Sequence, residues 1–161
     1  MDDNRHVDAV LARLAAFPDQ VAAVIGGVAG AALRWKPDAG RFSLLENVCH
    51  LRDLEVHAYA ARVRAMTDPE EPHFAPFDGT AFARGRRYND ESPDDALAEF
   101  RSARAANVAV LRAGYVDPAR AGRFGGEPTT CGAVLAMMTA HDAEHLDEMR
   151  GLLSTAAPSH S

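Results

Sequence analysis

Apolar residues recur every three to four positions through four long stretches of this chain, and that spacing restricts it to helices packed side by side. Val7, Val10, Leu11, Leu14 and Phe17 share one face of the first stretch. Leu44, Val48, Leu51, Leu54 and Val63 do so in the second, and Leu97, Phe100, Ala103, Val108 and Leu111 in the third. Val134, Met138, His141, His145 and Met149 mark the fourth. β-Branched residues are sparse and no segment alternates cleanly at period two, so the expected class is all-α, a four-helix bundle.

The helix boundaries carry their own chemistry. The first helical region spans about Arg5 to Leu33. Pro18 is expected to interrupt it, because an internal proline removes a hydrogen bond and crowds the preceding turn. Gly26, Gly27 and Gly30 weaken the segment that follows. Ser43 and Glu46 form an S-x-x-E capping box, which opens a second helix running to about Met66. Ser92 and Pro93 give the third helix a cap and a first residue that needs no donor; it stops near Gly114. The fourth starts near Thr129 or Thr130 and ends near Leu152.

Residues 67–91 differ in character, with Pro69, Pro72, Pro76, Gly79 and Gly85 among many charges. A connection of that length can traverse a helix of roughly 35 Å, since extended chain covers up to about 3.3 Å per residue. It permits the second and third helices to run parallel.

At 161 residues the chain fits one domain, expected over residues 1–155, with 156–161 as a flexible tail. A chain this long buries enough surface to fold without disulfides or a structural ion. A metal here would therefore serve function. The net charge of −6 and the lack of a basic stripe argue against nucleic-acid binding. No apolar run is long enough to span a membrane, and the first residues do not form a signal peptide, so a cytoplasmic protein is expected. Cys49 and Cys131, in apolar stretches without CxxC spacing, are expected as reduced, buried thiols.

The chemistry concentrates in histidines. His141-Asp-Ala-Glu-His145 places two imidazoles one turn apart on a stripe expected to face the interior. An unpartnered ring nitrogen there would be costly, and a metal ion offers a partner. His50, near the apolar face of the second helix, can close a set of three. Three neutral nitrogens leave coordination positions open, the pattern of a catalytic ion. The residues alone leave the alternative open, that these are core or boundary histidines with ordinary partners. His57 lies seven residues after His50 and about 10 Å along the axis, which makes it a pocket or surface residue before a ligand.

Other motifs fail on context. H-x-x-E-H of one metalloprotease class needs a further ligand well downstream, and only 16 residues follow His145. Position 142 is aspartate, so H-E-x-x-H is absent, as are G-x-S-x-G, P-loop and dinucleotide fingerprints. No Glu precedes a candidate histidine by three, against a di-iron site.

Four ordered stretches resemble the DinB-like family of bacterial metal-binding helical proteins. They are Arg34-Trp35-Lys36-Pro37 with Gly40-Arg41-Phe42-Ser43, then Leu45 to Glu55, then the Pro-rich crossover, then Thr129 to Met149. The resemblance implies an up-down-down-up bundle, a nickel, zinc or similar divalent ion on His50, His141 and His145, and a homodimer. It also implies thiol-dependent S-transfer or isomerisation with mycothiol, bacillithiol or glutathione, or hydrolysis.

The leading expectation is thus a metal-dependent thiol transferase acting on a small electrophile, with Arg123 and Arg87 as loop cations for the thiol's carboxylates. A hydrolase would need a general base, for which Asp53, Asp142 and Glu148 are candidates, although Asp142 sits about 100° from His141 and should face away. Asp53, His57 and Glu148 are also the candidates to support the ligands from behind. A non-enzymatic metal-binding stress protein is the third reading, and a sealed rather than open site would favour it.

Overall fold

The computed structural model describes residues 2–156; residues 157–161, most of the expected tail, lie outside the described residues. Its long elements are α1 (Asp2–Ile25), the continuous helix of α3 (Leu44–Leu54), a π turn (Glu55–Tyr59) and α4 (Ala60–Thr67), then α6 (Pro93–Ala113) and α7 (Cys131–Ala156). Short helices α2 (Gly30–Leu33) and α5 (Gly79–Arg84) lie in the connections.

Side-chain pairings fix the connectivity. Arg52 bonds Glu91, Glu55 bonds Arg104, and Thr67 lies against Gly114, so the α3–α4 helix and α6 ascend together. Phe17 meets Phe100 and Asp19 meets Arg101, while Leu14 meets Arg104, so α1 runs against α6. Asn47 meets His145 and Tyr59 meets His141, so α7 runs against α3. The result is the up-down-down-up bundle, with residues 68–92 as the crossover.

Pro18 does not break α1. Its missing N–H would have bonded the Leu14 carbonyl four residues back. That carbonyl instead accepts from Arg104 Nη1 at 3.0 Å, so the backbone group is satisfied and the helix continues. The break comes later, at Gly26 and Gly27, where Gly27 has φ +75°.

The capping box forms as its sequence predicts: Glu46 N donates to Ser43 Oγ at 3.0 Å and Ser43 N to Glu46 Oε2 at 2.8 Å. The π turn was not legible in the sequence. Ala60 N donates to Glu55 O, one residue beyond the α spacing. Glu55, at the start of this turn, is wholly buried, and His57 within it is exposed.

Three short strands lie in the connections of this all-α bundle. β1 (His73–Phe74) pairs in parallel with β2 (Ala121–Phe124), which pairs antiparallel with β3 (Glu127–Thr130). Gly125 (φ +60°) and Gly126 (φ +93°) make the two-residue turn, a conformation glycine adopts freely. The strands cap the end of the bundle near Met66 and Cys131, and α7 begins at Cys131 rather than one or two residues earlier.

Two apolar clusters fill the bundle. One gathers Leu11, Leu14, Tyr59, Met66, Leu111 and Met138; the other gathers Phe17, Val21, Leu45, Phe100, Met149 and Leu152. Near their junction lies a buried polar layer. Arg104 donates to Glu55 at 2.8 Å and to both oxygens of Asp142 at 2.7 and 2.8 Å. With its bond to Leu14 O, this one guanidinium ties together all four long helices.

Candidate metal centre

His50 stands on the second turn of α3, and His141 and His145 stand one turn apart on α7, which crosses it antiparallel. The ring centroids lie 5.8 Å (His50–His141), 4.9 Å (His50–His145) and 4.4 Å (His141–His145) apart. Each residue offers a ring nitrogen, and these nitrogens all lie within 4.8 Å of one another. Nε2 of His141 and Nε2 of His145 are 3.1 Å apart. Two nitrogens bound to one ion at about 2.1 Å would be about 3.0–3.4 Å apart at octahedral or tetrahedral angles. The observed separation therefore suits a shared cation.

The surroundings fix the rings. Asn47, fully buried on α3, orients its amide by donating from Nδ2 to Ser43 O at 2.9 Å. Its Oδ1 then faces His145 Nδ1 at 2.7 Å. An amide oxygen only accepts, so His145 carries its proton on Nδ1 and presents the Nε2 lone pair to the cluster. His50 is held on its Nδ1 side by the backbone of Gly79, a position with no room for a side chain: a Cβ would lie 2.5 Å from His50 Cε1. Phe42 covers the His50 ring at 5.0 Å. His141 Nδ1 is buried with no hydrogen-bond partner, a polar atom whose isolation is costly unless the ring is put to use.

Burial pushes the His50 imidazole down to about 4 and that of His145 down to about 3, with the neighbouring imidazoles adding repulsion. His141 is lowered by burial as well. All three are neutral at pH 7, the state a metal ligand requires.

The cluster opens into a cavity of about 250 Å³ lined by the three histidines with Arg41, Phe42, Thr80 and Glu148. Glu148 Oε2 is 3.7 Å from His145 Nδ1, and burial raises its carboxyl while Arg41 opposes the rise. The site is thus reachable from solvent rather than sealed.

The remaining sequence candidates fall elsewhere. Asp53 is buried, but its oxygens accept from Arg52 Nε at 2.9 Å and Tyr88 Oη at 2.7 Å. His57 is exposed against the Phe82 ring. Asp142 does face away from the cluster, engaged by Arg104. Arg87 is exposed and paired with Asp90, and Arg123 on β2 donates to Gly126 O. Neither arginine lines the histidine cavity, because the crossover and the hairpin carry them to other surfaces. Arg41 does line it. Asn47 and Arg41 were the residues sequence reasoning missed; an asparagine one helical turn before His50, and so on the same face, was the available signal for the first.

An antiparallel helix pair inside an up-down-down-up bundle, bearing three converging imidazoles at an open cavity, defines a bundle protein able to hold a metal ion. Residues 7–149 match the model of the DinB superfamily, and the chain belongs to that superfamily. Among solved structures it is similar to YfiT from Bacillus subtilis, described as a probable metal-dependent hydrolase with an unusual four-helix bundle topology. The identity is 20% and the TM-score 0.76, over 90% of this chain and 84% of YfiT, a likeness that establishes the fold. No curated protein matches the chain. Among the described residues, no helix is long and apolar enough to cross a membrane.

Proposed function

We propose that this protein is a divalent-metal-dependent enzyme, with nickel or zinc on His50, His141 and His145, that transfers a small thiol to an electrophilic substrate. The observation that carries the reading is the convergence of three neutral imidazoles, two with Nε2 atoms 3.1 Å apart, at the floor of an open cavity. A divalent ion so held supplies Lewis acidity, lowering the pKa of a thiol or water in an open position.

The chain's own groups do the rest. Asn47 fixes the tautomer of His145, and Gly79 with Phe42 fixes the ring of His50. Glu148, its carboxyl raised by burial, accepts the proton that the nucleophile gives up. The sulfur–carbon bond then forms as the electrophile's leaving group departs. Placement of Glu148 at the cavity also supports a second reading, hydrolysis, in which water is the nucleophile that loses its proton to the same carboxylate.

Isothermal titration of the zinc- or nickel-loaded protein with mycothiol, bacillithiol and glutathione tests the choice. Binding of one thiol supports transfer. Binding of none, with ester or amide hydrolysis that disappears on metal removal and in Glu148→Gln, establishes the hydrolase instead.

A further inference from the structure

Beside the histidine cavity lies a second recess of about 280 Å³, lined among others by Lys36, Arg41, Arg84, Arg86 and Glu46. The two share Gly40, Arg41, Phe42 and Thr80 as lining residues, so they adjoin. We infer that this recess is the subsite for the anionic end, a carboxylate or phosphate, of a small substrate whose reactive end lies at the histidines. The inference rests on the proposed function only for what happens at that reactive end.

The charge balance is the argument. The chain as a whole carries −6, yet four cations converge on this one recess against a single carboxylate. That carboxylate, Glu46, is committed: Lys36 Nζ lies 2.8 Å away and Ser43 N donates to it. Arg86 lies over the Phe82 ring at 4.4 Å, a contact that orients the guanidinium without neutralising it. The side chains of Arg41 and Arg84 form no ion pair or hydrogen bond with any other described residue. Like charges gathered in a concavity repel one another and focus a positive potential there. A purely structural network would have placed countercharges among them. Arg41 also feels the Glu148 carboxylate in the adjoining cavity, but guanidinium groups without an ion pair or hydrogen bond at a recess match the two oxygens of a carboxylate or phosphate.

The test is calorimetry on zinc-loaded, full-length protein at low ionic strength, with inorganic phosphate and succinate as probes and succinamide as the uncharged control. The expected result is binding of phosphate or succinate but not succinamide. The affinity should fall at least about tenfold in Arg41→Gln/Arg84→Gln, with zinc content and thermal midpoint unchanged. Arg84→Gln alone, at an exposed position, serves if the double variant does not fold. Unchanged anion affinity in the arginine variants overturns the subsite, as does equal binding of succinamide. His145→Ala separates the two ideas. Anion binding that survives loss of the metal supports the recess even if the proposed chemistry fails. Binding lost in His145→Ala but intact in the arginine variants assigns the anion to the ion itself and overturns the inference.

Discussion

Gly79→Ala sets a methyl group against a proposed metal ligand. The new carbon would lie 2.5 Å from His50 Cε1, 3.3 Å from His50 Nδ1 and 3.3 Å from Leu54 Cδ2. Apolar contacts settle at about 3.5–4.0 Å, so the ring must retreat by about 1 Å. Phe42 blocks one side at 5.0 Å between centroids, and the residue is only 5% exposed, so the ring cannot swing clear. A displacement of about half a metal–nitrogen bond of roughly 2.1 Å breaks or badly strains that bond. Zinc affinity should therefore fall at least about 100-fold, close to 3 kcal/mol. The metal-free protein should lose about 1–3 kcal/mol from overpacking. Competition with a chromophoric chelator reads the first and denaturant unfolding the second. Gly85→Ala is the control, because its Cβ meets nothing nearer than 3.8 Å. Wild-type zinc affinity in Gly79→Ala would refute the placement of His50 in the coordination shell.

Three further outcomes follow from the same structure. Asn47→Ala removes the acceptor at His145 Nδ1 and should weaken zinc binding about 10–100-fold, while Asn47→Asp, which keeps an acceptor, should recover part of the loss in the same competition assay. Arg104→Ala leaves Glu55 and Asp142 as buried carboxylates without their cation and reopens the Leu14 carbonyl, so chemical denaturation should show a loss of about 3–5 kcal/mol. Burial holds the Cys49 thiol up at about 12 and raises the Tyr59 and Tyr88 hydroxyls above their ordinary values, with Asp53 accepting from Tyr88. The unfolded chain releases the thiol proton near pH 9 and the two hydroxyl protons near pH 10, while the folded one keeps them. Stability should then fall as pH rises, by up to about 4 kcal/mol per pH unit once all three titrate in the unfolded state, and urea midpoints from pH 8 to 11 check it.

The sequence was most informative where local rules agree with packing. The capping box at Ser43, the Ser92–Pro93 start and the apolar stripes all form as read, because each depends on residues close in the chain. Pro18 misled because its compensation comes from Arg104, far away in sequence, and nothing near position 18 announces it. The π turn, which holds the buried Glu55 and the exposed His57, has no local composition mark. The strands escaped because they are two to four residues long and contain Gly, Pro and Arg rather than an alternating pattern. At the site, helical periodicity placed His50, His141 and His145 on inward faces. Glu148, one turn after His145 on the same helix, was legible too, whereas Arg41 and Thr80 come from segments whose meeting depends on how the crossover folds back.

Metal stoichiometry decides the matter. Dialysed native protein and His50→Ala, His141→Ala and His145→Ala variants are loaded with zinc or nickel and read by elemental analysis, with X-ray absorption on the native sample. One ion per chain bound by about three imidazole nitrogens, and lost or greatly weakened in each variant that keeps its helical fold, is the predicted result. A protein that takes up no ion, or one whose ion stays equally tight when any of these rings is removed, would contradict the assignment of this cluster as a metal centre.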